Sequence, residues 1–236
     1  MKEKIVDIIV KSLPRDYDWL PYLWRSVEKY VTGFRNVVLI LEQSYPLPPL
    51  PSRCVVARSC DYPVGSESDH GAVVERMRAW HYSDAERLLY VDSDCVFNGP
   101  VDFQTEQAIN VERPIVLWRK WEEAGPGAVW RTPARETLGY DPSIETMVRY
   151  PFCYPRQVLR DFWNFVGGEE RLSGLPSITD WCALGAYAAD HHPESVTLVH
   201  ASVGLATPSC VRQFWSHDRA DNPRVQAEME TLGLTR

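Results

Sequence analysis

Apolar and polar positions along the first hundred residues follow two different periods. Four short, mainly apolar runs have the character of strands that are buried on both faces of a parallel sheet. These runs are Ile5–Val10, Asn36–Leu41, Cys54–Arg58 and Arg87–Val91. From Leu20 to Val31 apolar residues recur at helical spacing, with Asp18 as a candidate cap and Pro21 in the first turn. Because a second helix is predicted over Gly71–Tyr82, the order of elements predicts a mostly parallel α/β sheet with flanking helices.

The second half of the chain has a less regular pattern. Two strands are predicted at Ile115–Trp118 and Ser195–His200. Helices are predicted at Tyr154–Val166, Ser177–Ala189 and Asn222–Leu232. The proline-rich stretch Pro46–Pro51 is expected to be a loop, and Glu122–Pro133, with its glycines and prolines, a mobile loop. Since no clean linker interrupts the pattern, we expect one domain over residues 1–236.

Composition narrows the class of protein. With 236 residues, 44% hydrophobic and 24% charged, the chain has the composition of a globular domain. Its formal net charge of −7 argues against an overall basic surface for nucleic acid. The six cysteines form no CxxC pair, and neither a signal peptide nor an apolar run of membrane-spanning length is recognisable. These features predict a reduced, cytoplasmic protein.

The sequence Asp92-Ser93-Asp94 carries the strongest chemical signal. Two carboxylates one residue apart follow directly on a buried strand, and the carboxyl ends of strands are where open α/β sheets bind ligands. On an extended chain this spacing puts both side chains on one face. Such a pair can hold a hard divalent cation, which in turn holds a diphosphate. The alternative interpretation is an acidic turn that caps the next element.

Four motifs in order resemble those of small bacterial and phage glycosyltransferases of the GT-A fold. They are the opening run from Val6 to Ser12 with Arg15-Asp16, the DxD at Asp92–Asp94, the stretch Arg149-Tyr150-Pro151-Phe152, and Thr179–Tyr187. The resemblance extends over most of residues 5–220. In one respect the sequence departs from that family, whose helix before the DxD strand usually carries glutamine and lysine. Here Arg76 or Arg78 takes the place of the lysine.

This resemblance implies a nucleotide-sugar site, with a UDP-sugar as the expected donor. Residues 1–100 would form the donor-binding half and residues 101–236 the acceptor-binding half. The donor-site residues predicted in this way are Ser12, Arg15, Asp16, Gln43, Arg76, Arg78 and Ser93. For Arg15 the alternative is a solvated loop arginine, and for Asp16 a turn or capping residue.

The resemblance also implies a metal ion. Asp92 and Asp94 would be two ligands, and this fold often recruits a third from near the C-terminus. His217 is the first candidate for that ligand and His200 the second. A nitrogen ligand would favour Mn²⁺ over Mg²⁺, which prefers an all-oxygen shell.

Asp180 is the predicted catalytic residue. It stands at the start of a predicted helix, beside Trp181. In a transferase it could act as a general base that takes the proton of the acceptor hydroxyl. The alternative is an ordinary acid at a helix N-terminus, where it complements the helix dipole.

The acceptor is less sharply indicated. Residues Arg113–Arg135 combine arginines with Trp118, Trp121 and Trp130, a composition suited to an acceptor-binding lip or to a solvated loop. The acceptor could be a glycan or a hydroxymethylated base in phage DNA. Three other functions remain open: a haloacid-dehalogenase-like phosphatase, a metal-dependent nucleotidyltransferase, and a non-catalytic module that binds nucleotides or sugars. The sequence does not indicate an oligomeric state.

Overall fold

The structure is a computed structural model that describes residues 3–61, 66–149, 151–205, 209–214 and 220–235. It is a mixed α/β structure with a mostly parallel five-stranded central sheet flanked by helices. None of the helices in these ranges combines the length and the apolar character that crossing a bilayer requires. All six cysteines fall within these ranges, and each is a free thiol.

The first half of the chain builds most of the central sheet. Its elements, in chain order, are β1 (Val6–Lys11), α1 (Leu20–Tyr30), β2 (Val31–Thr32), β3 (Val37–Glu42), β4 (Cys54–Ser59), α2 (Ser66–Met77), β5 (Arg87–Tyr90), β6 (Cys95–Phe97) and β7 (Val101–Asp102). Strands β1 and β3 are buried at every position, as their apolar runs predicted. The one acid inside β1, Asp7, accepts hydrogen bonds from Arg35 and Ser83, which satisfies its buried carboxylate.

The strand order of the central sheet is β10-β5-β1-β3-β4. Strand β1 pairs in parallel with β3 on one side, where Lys11 lies opposite Ile40, and with β5 on the other, where Ile9 lies opposite Tyr90. The chain therefore runs outward from β1 through β3 and β4, and then returns to the far side of β1 as β5. This reversal opens a crevice between the carboxyl ends of β1 and β5, which is where open α/β sheets bind ligands.

The second half of the chain adds the edge strand, two smaller sheets and more helices. Its elements are β8 (Ile115–Lys120), α3 (Arg131–Leu138), β9 (Ile144–Glu145), β10 (Phe152–Pro155), α4 (Arg156–Phe165), α5 (Gly168–Leu172), α6 (Trp181–His191), β11 (Thr197–His200), α7 (Ala201–Gly204), β12 (Val211–Gln213) and α8 (Pro223–Thr231). Strand β10 runs antiparallel to β5. A second sheet has the order β11-β8-β9, and β12 pairs antiparallel with β6. Strand β2 pairs in parallel with β7.

One predicted loop proves to be helical. Residues 121–138 form 3₁₀ turns at Trp121–Glu123 and Gly125–Trp130, followed directly by α3, so the prediction of a mobile loop over Glu122–Pro133 is wrong. Its prolines occupy first turns, where the missing N–H costs nothing. Glu123 caps the first turn by accepting a hydrogen bond from the backbone N–H of Lys120. The indole of Trp121 is buried and donates to the carbonyl of Pro142.

Several predicted helix boundaries also need correction, among them that of Gly71–Tyr82, where α2 ends at Met77. Helix α1 begins at Leu20 with Trp19 as its N-cap, so Asp18 does not cap it. The predicted helix at Tyr154–Val166 begins instead at Arg156, since the preceding residues form β10, an edge strand in which a proline is tolerated. The predicted helix at Ser177–Ala189 begins only at Trp181, because Asp180 caps it.

Candidate donor and metal site

A cleft of about 280 Å³ opens between the carboxyl ends of β1 and β5. Lys11, Arg15 and Asp16 line it from the end of β1 and the segment that follows, and Asp92, Ser93 and Asp94 line it from the segment after β5. Arg76 of α2 and Trp130 of the 3₁₀ turn before α3 also line the cleft. The topological reversal of the sheet thus coincides with a cleft that contains three carboxylates and three cationic side chains.

The two aspartates enter the cleft from a turn. The backbone N–H of Val91 still bonds to the carbonyl of Ile9, and the N–H of Cys95 bonds to the carbonyl of Asp92, so the chain turns before β6 begins. The extended geometry expected from the spacing is therefore not the one that forms. Both carboxylates line the same cleft nonetheless, with Asp94 buried and 27% of the Asp92 side chain exposed.

Asp94 is in an unfavourable place for a negative charge. Burial, together with the charges of Asp92 and Asp16, raises the pKa of Asp94 to about 8. A hydrogen bond with Gln213 acts in the opposite direction. The backbone is firmly held, because the N–H of Phe214 donates to the carbonyl of Asp94 at 2.8 Å. A cation in the cleft would offset this accumulation of negative charge.

Arg76 connects two of the predicted site residues. Its Nε donates a hydrogen bond to Oδ2 of Asp180, and its Nη1 lies 3.7 Å from Oδ1 of Asp92. The Asp180 side chain is only 3% exposed, whereas that of Arg76 is 18% exposed. Oδ1 of Asp180 accepts the backbone N–H of Trp181 and so caps α6. Asp180 thus lies behind Arg76 and does not itself line the cleft.

Aromatic packing fixes the position of this arginine. The guanidinium of Arg76 lies over the ring of Trp181, with its Cζ 5.7 Å from the ring centroid. Trp181 in turn stacks on Phe152 at 4.6 Å and meets the edge of Tyr90 at 4.8 Å. The hydroxyl of Tyr90 donates to the backbone carbonyl of Arg76. These contacts join α2, β5, β10 and α6 around the Arg76 side chain.

Lys11 is a cleft residue that the sequence patterns did not identify. Its side chain is fully buried, and its nearest acceptor, Oε1 of Glu42, lies 3.5 Å from Nζ. Burial lowers the pKa of Lys11, against the opposing effect of Glu42. The ring of Tyr45 lies 5.8 Å from Nζ, and burial together with Glu42 raises the pKa of Tyr45 to about 12. The available signal was a lysine at the end of an apolar strand, where a buried aliphatic residue is expected.

Three of the predicted donor-site residues do not line the cleft. Ser12 is buried, with its hydroxyl directed to the carbonyl of Leu13. Gln43 follows β3 and is exposed. Arg78 forms an ion pair with Glu169 at 3.2 Å, and its guanidinium lies over the ring of Tyr82. Of the two arginines that could replace the family's lysine, the structure brings only Arg76 to the carboxylates.

The third metal ligand is not identified by the structure. His217 and Tyr150 lie outside the described residues. His200 is described, but its ring bonds to Glu123 at 3.0 Å and to Ser202 at 2.8 Å, and it does not line the cleft. Within the described ranges, no three histidine, cysteine or acidic side chains come together as a metal-binding group.

The tryptophans of the predicted acceptor lip fall into different environments. Trp121 is buried, and Trp118 meets the ring of His200 edge to face at 4.8 Å. Trp130 alone of the three lines the cleft, with 39% of its surface exposed. It forms the end of the 3₁₀ turn at Gly125–Trp130 and thus brings an aromatic face from the second half of the chain to the carboxylates of the first.

The comparison with known proteins leaves the family open. Neither a scan against protein-family models nor a search of curated proteins found a match for this chain.

Proposed function

We propose that this protein is a metal-dependent glycosyltransferase of the GT-A fold that moves a sugar from a nucleotide-sugar, with a UDP-sugar as the expected donor, to an acceptor hydroxyl. One observation carries the proposal: Asp92 and Asp94 line the cleft at the topological reversal of a parallel sheet, together with Arg15 and Arg76. Ligands bind at this place in open α/β sheets. Carboxylates beside arginines suit a diphosphate that is bound through a cation.

The residues present fit a divalent cation. Mg²⁺ and Mn²⁺ accept oxygen ligands, and Mg²⁺ commonly binds to one or two carboxylates together with water and substrate phosphates. Asp92 and Asp94 would hold it, and no third protein ligand is required for such a shell. When bound, the cation would offset the charge that develops on the departing diphosphate. The raised pKa of Asp94 supports this fit, since the cleft without a cation disfavours its carboxylate.

The arginines supply the remaining positive charge. Arg15 is 58% exposed at its side chain and lies 3.9 Å from Asp16, so it stands at the open side of the cleft. Arg76 is fixed deeper, by Asp180 and Trp181. We assign both to the donor phosphates, where guanidinium groups make charge-assisted hydrogen bonds.

Asp180 receives a different role from the one expected. Its general-base function stays a prediction. The Asp180 side chain is 3% exposed, bonds to Arg76 and caps α6, which supports the alternative interpretation of an acid at a helix N-terminus. We therefore propose that Asp180 positions Arg76, and that its effect on transfer passes through that arginine. Trp130 is the residue we assign to the acceptor side, where its exposed face can stack on a sugar ring.

The experiment that tests this function is a thermal-shift panel of nucleotide-sugars with and without Mn²⁺. We expect a stabilisation that needs both a nucleotide-sugar and the metal, since a ligand that binds only the folded state raises the melting temperature. Slow hydrolysis of the stabilising donor to the nucleoside diphosphate would then separate an enzyme from a binding module. No shift with any donor in the presence of Mn²⁺ would contradict the proposal.

A further inference from the structure

We infer that Arg76 is an internal counter-ion of the metal site: it neutralises Asp92 when no metal is bound, and must release that carboxylate before Asp92 can ligate a cation. The inference rests on the proposed function and deepens it. In this order of events, the Arg76 guanidinium pairs first with the Asp92 carboxylate and later with a phosphate of the donor.

The contacts of Arg76 with Asp180 and with Asp92 differ in kind. Towards Asp180 it donates a hydrogen bond to a carboxylate that is almost fully buried. Towards Asp92 it makes an ion pair of 3.7 Å, which is too long for a hydrogen bond, with a carboxylate that is 27% exposed. The contact with Asp180 therefore fixes Arg76 in place, whereas the contact with Asp92 can be broken.

The surroundings of Arg76 hold it through contacts other than the one with Asp92. Its main-chain carbonyl accepts the hydroxyl of Tyr90, and its guanidinium lies over the ring of Trp181. Since Nε bonds to Asp180 and the guanidinium lies over Trp181, these contacts would hold Arg76 at the cleft without Asp92. An N–H donor next to a cation held by Asp92 and Asp94 is suited to an oxygen of a diphosphate.

Two effects of opposite sign follow from this arrangement. A positive guanidinium close to Asp92 repels a divalent cation at the same carboxylate, so Arg76 weakens the binding of the metal alone. Once the metal and a diphosphate are both present, the same charge attracts the phosphate, so Arg76 strengthens the ternary complex. A residue with a merely structural role would not change the two affinities in opposite directions.

The test is a pair of calorimetric titrations on Arg76→Gln and the wild-type protein. Glutamine keeps a hydrogen-bond donor for Asp180 but removes the charge. We expect Mn²⁺ alone to bind about tenfold more tightly to the variant, and UDP in saturating Mn²⁺ to bind about tenfold more weakly; a factor of ten corresponds to about 1.4 kcal/mol. Arg78→Gln is the matched control, since Arg78 lies two residues further along the chain, just after the end of α2, and does not line the cleft. It should leave both affinities unchanged.

A second variant keeps the test decisive if Arg76→Gln fails to fold. Removing the charge of Arg76 leaves the buried Asp180 without its cation, which can destabilise the fold. Arg76→Gln combined with Asp180→Asn removes both charges together, and we expect the same two opposite changes in this double variant. If Mn²⁺ binds the folded variants no more tightly than it binds the wild type, the counter-ion role is wrong.

The outcomes also separate this inference from the proposed function. If the wild type binds Mn²⁺ and UDP and both variants match it, the inference fails while the proposed function stands. If neither the wild type nor the variants bind Mn²⁺ or UDP, both fail. If Mn²⁺ alone binds only to the variants, the inference is supported, and the binding of UDP to the wild type in saturating Mn²⁺ then decides whether the proposed function stands.

Discussion

Arg76 and Asp180 form a hydrogen-bonded ion pair that joins α2 to the start of α6. The two residues are 104 positions apart in the chain, one in the half that carries the DxD and one in the half expected to hold the acceptor. Because Asp180 also caps α6 and Arg76 also lies close to Asp92, the pair connects the cleft with the second half of the molecule. A substitution of Arg76 or of Asp180 should therefore change how the cleft binds its ligands.

Asp180→Asn is expected to reduce sugar transfer and donor hydrolysis by the same factor, on the order of ten to a hundred, because both reactions need a positioned Arg76. The measurement is a comparison of kcat for transfer and for hydrolysis, with the pH dependence of kcat/KM. Under the positioning role the acidic limb of the pH profile remains.

A general base at Asp180 would give another result. Transfer would then fall while donor hydrolysis persisted, and the acidic limb of the profile would disappear. That outcome would restore the role expected from the sequence. The wild-type protein, assayed with the same donor, is the reference for both reactions.

Arg15 and Arg78 should contribute differently to donor binding. Arg15→Ala is expected to weaken UDP binding by roughly 1–3 kcal/mol, the range of a hydrogen bond to a charged group. Arg78→Ala should leave it unchanged, since Arg78 is paired with Glu169 outside the cleft. Calorimetry with UDP and Mn²⁺ checks both, and equal losses in the two variants would show that the cleft is not the diphosphate site.

The stability of the metal-free protein should depend on pH through Asp94. Its pKa is about 8 in the folded protein, against an ordinary value of 3.8, so the folded state holds the proton more tightly than the unfolded state. The resulting stabilisation is complete below the ordinary value and is lost as the pH rises through 8. In the presence of a chelator, Asp94→Asn should therefore melt increasingly above the wild type between about pH 5 and about pH 9.

A constant difference in melting temperature over that range would contradict this account of Asp94. Asp92→Asn provides the matched control, because the charge of Asp92 is one cause of the raised pKa of Asp94. It should change the pH dependence in the same direction as Asp94→Asn but by less.

Trp130 is expected to affect the acceptor and not the metal. At about 25 cal/mol per Å², an indole that loses about 50 Å² of exposed apolar surface to a sugar ring contributes about 1.3 kcal/mol, so Trp130→Ala should raise the acceptor KM by about tenfold. The neighbouring Val129 is more exposed but does not line the cleft, and Val129→Ala should have no effect. Steady-state kinetics with a panel of simple glycosides as acceptors checks this. An unchanged KM for every accepted glycoside would remove Trp130 from the acceptor site.

The edge strand β10 was predicted as the start of a helix. The other four strands of the central sheet could be predicted from the sequence because they read as apolar runs, although β4 is only partly buried. The small strands could not, since β2, β7 and β9 are only two residues long and form through partners distant in the chain. The helical character of residues 121–138 was missed because glycine and proline are typical of loops, although prolines at first turns are compatible with helices.

The candidate site was predicted in part. The placement of Asp92 and Asp94 at the cleft follows from their position after a buried strand. That strand can be recognised in the sequence as an apolar run. The choice between Arg76 and Arg78 depends on where α2 ends, because Arg76 lies in its last turn and lines the cleft, whereas Arg78 follows the helix. The position of Asp180 depends on packing around Trp181. Lys11 was missed because its significance lies in burial, a property of the folded sheet rather than of the local pattern.

The most direct test of the account is the affinity for UDP, or for the best donor of the thermal-shift panel, as a function of Mn²⁺ concentration in the wild type and in Asp94→Asn. Without metal, the carboxylates of the cleft repel a diphosphate; with metal, the same carboxylates anchor it. We predict that the wild-type affinity rises with Mn²⁺ and falls when a chelator is added, and that Asp94→Asn remains folded but loses the Mn²⁺-dependent part. Metal-independent binding in the wild type, or full stimulation by Mn²⁺ in Asp94→Asn, would contradict a diphosphate site built on Asp92 and Asp94.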